Sequence, residues 1–66
     1  MDYNQIYSLS TGSIISTKDG KRQYVYDGVK VGDMYFFSEI PIDEETEPED
    51  RTITRAELLD GYIKVV

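Results

Sequence analysis

Apolar and polar residues alternate in short runs along this chain, and the runs have strand length. Residues 13–18 (Ser-Ile-Ile-Ser-Thr-Lys) are β-branched and few, which predicts a strand. Residues 21–26 (Lys-Arg-Gln-Tyr-Val-Tyr) predict a second one. Asp19-Gly20 stands between them and predicts a hairpin closed by a type I′ turn, because Gly takes positive φ freely and Asp tolerates it. Asp27-Gly28 and Gly32-Asp33 are two further turn signals, with 29–31 between them as a short strand or part of a wide loop. Residues 34–40 (Met-Tyr-Phe-Phe-Ser-Glu-Ile) form the most apolar stretch, and their aromatic content predicts a central strand buried largely on both faces. Tyr35 and Phe37 fall on one side of it and Phe36 on the other.

Pro41 lacks a ladder donor and ends that strand. Residues 51–54 can rejoin the sheet. Thr54-Arg-Ala-Glu57 has the capping-box pattern, so a helix of one to two turns is expected over 55–60, with Gly61 as a left-handed stop. Residues 62–66 read as a last strand. The first nine residues alternate only weakly, as a short edge strand or an ordered arm, and Ser10-Thr11-Gly12 breaks whatever precedes it. The expected fold is therefore one mainly β domain spanning 1–66. About five antiparallel strands curl strongly or close into a small barrel, with one helical turn near the C-terminus.

Two stretches resemble the small SH3-like barrels. Leu9-Ser-Thr-Gly-Ser-Ile-Ile15 is similar to the Leu-x-x-Gly-x-hydrophobic approach to their first strand. Residues 51–59 before 62–66 resemble their helical turn between the last two strands. The resemblance covers about residues 9–66 and concerns the fold. It implies a binding module for peptide, protein or nucleic acid, and many short barrels of this kind come from bacteriophages and mobile elements. The chain has no Trp, the residue that lines the peptide groove of true SH3 domains.

Charge adds a second layer. The net charge is −6, and all of it lies in residues 39–66, since residues 1–38 carry four acids and four bases. Six carboxylates crowd into eight residues: Asp43, Glu44, Glu45, Glu47, Glu49 and Asp50. A like-charge block stays hydrated, which predicts an acidic loop within the domain. Its functional reading is a docking surface for a basic partner protein, or a mimic of a phosphate backbone. Its plain reading is a solvated loop. The alternation of Asp43, Glu45, Glu47 and Glu49 invites comparison with a calcium loop, but Pro48 stands where such a loop needs Gly.

Lys18, Lys21, Arg22 and Lys30, with Tyr24 and Tyr26 nearby, form the opposite pole. Bases flanking aromatics can track a nucleic-acid backbone and stack bases, which is the alternative function. A structural subunit of a larger assembly is a third option. Six tyrosines (3, 7, 24, 26, 35 and 62) serve either the core or an interface, and Tyr24 and Tyr26 are the candidates for short-range partner contact. With no His and no Cys, the usual bases, nucleophiles and soft metal ligands are missing. No catalytic residue, cofactor or metal is expected. No apolar run reaches the roughly 18 residues of a membrane span. The expectation is a small acidic cytoplasmic protein that binds another protein.

Overall fold

The computed structural model describes residues 1–45 and 47–66; Thr46, within the acidic segment, lies outside the described residues. Helix α1 (Tyr3–Tyr7) is followed by strands β1 (Ile14–Thr17), β2 (Gln23–Val31), β3 (Met34–Ile40) and β4 (Asp50–Thr54), then helix α2 (Arg55–Gly61) and strand β5 (Tyr62–Lys64). The strands form one antiparallel sheet in the order β4-β3-β2-β1-β5. A mainly β domain with a short helix near its C-terminus is thus what the chain builds. The sheet's edges are β4 and β5, and α2 carries the chain from one to the other.

The hairpin over 13–26 forms, with Ile14 opposite Val25 and Ser16 opposite Gln23. Its turn differs from the type I′ expectation. Among the described residues, none other than glycine has positive φ, so Asp19 cannot occupy the first centre of such a turn. The loop is longer: the Gly20 amide, at φ +75°, donates to Thr17 O (3.0 Å), and the Thr17 amide donates to Arg22 O (3.0 Å). Asp19 organises it through its side chain. Oδ1 accepts from Thr17 Oγ1 (2.7 Å) and from the Lys21 amide (3.0 Å).

Asp27-Gly28 is not a reversal either. It lies inside β2, where Tyr26 faces Phe37 and Lys30 faces Tyr35, so three residues of β2 oppose Phe36 alone. This is a bulge, and it bends the longest strand of the sheet. Gly28 sits there at φ +83°, and a Cβ on it would collide with Thr11 Oγ1. The chain reverses at Gly32-Asp33. Gly32 at φ +61° supplies the first centre of a type II′ turn between the paired Val31 and Met34.

Strand alternation sorts the side chains. Ile15, Tyr24, Tyr26, Tyr35, Phe37, Ile53 and Tyr62 share the inner face and are buried, and Ile6 of α1 and Leu58 of α2 cover them. β3 was expected to be buried on both faces. Tyr35, Phe37 and Glu39 are indeed buried, but Phe36, Ser38 and Ile40 on the other side are only half-covered, because both helices pack on the inner face.

The N-terminal segment is a helix rather than an arm or edge strand. Asp2 caps it: Oδ1 accepts from the Gln5 amide (2.8 Å), and Gln5 Oε1 accepts from the Asp2 amide (3.1 Å). This capping box holds a single turn that Ile6 anchors in the core. α2 has the expected box, with Thr54 Oγ1 accepting from the Glu57 amide (3.3 Å) and Glu57 Oε1 accepting from the Thr54 amide (3.1 Å). Gly61 does not stop it in a left-handed conformation. The last turn is closed from outside: the Met1 ammonium donates to Leu58 O (3.2 Å), Leu59 O (3.4 Å) and Tyr62 O (2.7 Å). A cation at this end also opposes the negative pole of the helix dipole.

Candidate functional site

The acidic segment leaves β3 at Pro41 and returns as β4. Its two ends are tied by the Glu39 amide donating to Glu49 O (3.0 Å). Asp43, Glu44, Glu45, Glu47 and Glu49 lie in this loop, all exposed, with Asp43 Oδ1 accepting from the Glu45 amide (3.0 Å). Among the described residues, no ion pair engages Glu44, Glu45, Glu47 or Glu49. Asp50 is exposed as well, but it opens β4 opposite Ser38 and belongs to the sheet. The predicted acidic residues are therefore all exposed, and the last of them is held by strand pairing.

Asp50 is joined by a residue that charge counting overlooked. Ser38 Oγ lies 2.8 Å and 3.1 Å from the Asp27 carboxylate oxygens and 3.2 Å from Asp50 Oδ1. One hydroxyl proton serves one carboxylate at a time. Asp27 and Asp50 thus flank Ser38 on the outer face and extend the negative surface across the sheet.

Tyr24 and Tyr26 do not belong to this surface. They are 1% and 6% exposed, with their rings packed in the core against Tyr62 (6.1 Å between centroids) and Phe37 (5.4 Å) respectively. Burial raises the Tyr26 phenol above its ordinary pKa, with Tyr35 adding to the effect. Period-2 alternation cannot tell which side of a sheet is inside, and here it is the tyrosine side. The exposed tyrosines are Tyr3 and Tyr7, stacked at 6.1 Å on α1.

The basic pole is also divided. Lys18 and Lys21 are exposed at the hairpin tip, and Lys30 lies 5.6 Å over the Tyr35 ring. Arg22 is engaged internally: its Nη1 donates to Glu39 Oε2 at 3.0 Å. The Glu39 side chain is 5% exposed and that of Arg22 59%, so the pair seats a buried carboxylate beneath a partly solvated cation. That geometry holds the Arg22 guanidinium above its ordinary pKa. Glu39 could have been noticed in the sequence as the one acid at an inward position of an apolar strand. Arg51 lies 6.0 Å over the Tyr24 ring, and a cleft of about 220 Å³ opens at the root of the acidic loop among Arg22, Tyr24, Glu39, Glu49, Asp50 and Arg51. Three acids and two arginines line it, so it presents no net anion-binding field.

A shallow groove of about 420 Å³ runs between Thr17 and α2, lined by Ala56, Glu57, Asp60, Gly61 and Tyr62. Glu57 is committed to the Thr54 capping box, whose hydrogen bonds lower its pKa. Among the described residues, no group of three or more Asp and Glu side chains is placed to hold a metal ion, and no helix is long and apolar enough to cross a membrane. No protein-family model matches this chain, and searches of curated proteins and of solved structures find no match to it.

Proposed function

We propose that this chain is a small non-enzymatic binding module that engages the basic surface of a partner protein. The observation that carries the reading is the outward display of Asp43, Glu44, Glu45, Glu47, Glu49 and Asp50, all exposed. Such a surface raises the encounter rate with a cationic partner and leaves the affinity to short-range contacts. The short helix between β4 and β5 supports reading the sheet as a barrel-type binding scaffold. An inhibitor or adaptor of the phage type, working in the cytoplasm and including a decoy for a nucleic-acid site, is one form of this activity. Direct nucleic-acid binding by the hairpin over 18–30 is less favoured. Tyr24 and Tyr26 are core residues and Arg22 is bound to Glu39, which leaves neither a stacking platform nor a continuous cationic track.

The test is a variant with Glu44, Glu45, Glu47 and Glu49 changed to Gln. Partners cross-linked to the wild-type chain in a lysate of the producing cell are identified, and their association rates are measured at low salt and again well above the roughly 0.1 M at which the screening length falls to about 10 Å. The reading expects a basic partner, a rate at least about tenfold lower for the variant at low salt, and convergence of the two at high salt. Equal rates at low salt would refute it.

A further inference from the structure

The outer face of the sheet supports an inference that rests on this reading and gives the partner a shape. Ile14 and Val25 are directly paired, and both are half-buried. Ile63 follows on the β5 side and Ile40 on the β3 side, at the two ends of a row that runs through Ser16 and Gln23; Phe36 lies farther along β3, beyond Ser38. Val65, just beyond β5, is held beside Ile14 by the Val65 amide donating to Ile14 O (2.8 Å). Ile63 and Val65 are each 47% exposed. Ile14, Val25, Ile40, Ile63 and Val65 thus place an apolar patch on the outer face from β5 to β3, crossed by Gln23, and neither helix covers it, since Ile6 and Leu58 both belong to the inner core. One border of the patch is acidic: Asp27 and Asp50 flank Ser38, and the loop over 43–49 continues from there.

We propose that this outer face is the seat of a cationic amphipathic helix on the partner protein. Three observations select that occupant. First, the patch is a sheet face, so its backbone groups are spent on neighbouring strands. An added strand would find nothing to pair with, whereas a helix satisfies its own backbone and needs only an apolar stripe. Second, the distance from β5 to β3 is three strand spacings of about 4.8 Å, roughly 14 Å, which matches one helix of about 10–12 Å diameter. Third, the acidic border selects the sign of the flanking charge. A second copy of this chain would bring its own Asp27 and Asp50 against those of the first, at a net charge of −6 for each molecule. An anionic membrane would be repelled in the same way. A helix with Leu-type residues on one side and Lys or Arg on the flanks matches both parts of the surface.

The probe is a fluorescent Leu/Lys peptide of about 14 residues with its leucines on one helical stripe, four turns at about 3.6 residues each. The control peptide has the same composition with the leucines dispersed. The expected result is at least about tenfold tighter binding of the striped peptide, with amide shifts centred on Ile14, Val25 and Ile40. Val25→Thr with Ile63→Thr should shrink that preference to about threefold or less, and the four-Gln variant of the loop should weaken both peptides. If the paired Thr variant loses its circular-dichroism signal, shift mapping on the wild-type chain decides. Equal affinity for the two peptides, or shifts confined to 41–50, would overturn the seat on the sheet while leaving the charge-steered reading intact. Striped-peptide binding whose affinity neither salt nor the Gln variant lowers would overturn the cationic partner itself.

Discussion

Replacing Gly28 with Ala tests whether the bend in β2 is built as described. Two penalties meet at this position. The backbone is at φ +83°, where an L side chain costs about 1–2 kcal/mol. Against this, Ala restricts the unfolded chain and returns about 0.4–1 kcal/mol. The second penalty is steric, because the new Cβ would run into Thr11 Oγ1, and forced overpacking of this kind costs about 1–3 kcal/mol. The expected total is about 2–4 kcal/mol. Gly20 provides the control. Its φ of +75° is similar, but a Cβ there meets nothing within 4 Å. Gly20→Ala should therefore lose only about 0.5–1 kcal/mol. For a domain of this size, with roughly 3–10 kcal/mol in total, the first change is severe and the second mild. Urea and thermal unfolding followed by circular dichroism would read midpoints lowered by at least about 10 °C and by about 5 °C respectively, at about 4–8 °C per kcal/mol. Thr11→Ala in the Gly28→Ala background should restore about half the difference. It would not restore all of it, because the Thr11 Cβ would still lie 3.3 Å from the added atom. Equal losses at positions 20 and 28, or no recovery from Thr11→Ala, would refute the close packing of the bulge on the 10–12 turn.

Thr54→Ala removes the cap of α2 and should lower stability by about 1 kcal/mol in urea titrations at neutral pH. Hydrogen bonds from Thr54 hold the Glu57 carboxyl below its ordinary pKa, and those from Thr17 and Lys21 do the same for Asp19. Depressed carboxyls contribute stability above their unfolded values and lose it as pH falls through the folded ones. The unfolding midpoint should thus decline below about pH 4.5, and Glu57→Gln with Asp19→Asn should flatten that decline. Arg22→Ala leaves the Glu39 carboxylate buried without its partner and should lower the thermal midpoint, while adding Glu39→Gln should recover most of the loss. Acetylating the Met1 amine removes the charge seated on the last carbonyls of α2 and should cost about 0.5–1 kcal/mol, read as a lower urea midpoint.

Where local chemistry has a single structural solution, the chain can be read directly. The aromatic run over 34–40 is a strand, and Thr54-x-x-Glu57 starts a helix at the expected residue. Where one signal serves two geometries, reading the chain fails. Asp27-Gly28 and Gly32-Asp33 both advertise positive φ, yet one is a bulge and the other a reversal, and only the register against β3 separates them. The alternation of Tyr24, Val25 and Tyr26 was legible, but not which side faced the helices. Asp2-x-x-Gln5 is a capping box in plain view. It was masked because the short segment also alternates, and because Ile6 gains its burial only from packing against the rest of the fold. The charged surface was the clearest part of the site, since solvated carboxylates need no tertiary partner. Its continuation through Asp27 and Asp50 was hidden, because it depends on Ser38 standing between two strands.

The two rims of the sheet have a consequence for how the protein behaves when concentrated. β5 offers only three residues to a newcomer, and β4 begins with Asp50 and Arg51 directly after the acidic loop. Short or charged rims discourage templated growth of one molecule onto the next. Growth by strand pairing from one molecule to the next is therefore disfavoured, even though isoleucine and valine side chains of the outer face meet water.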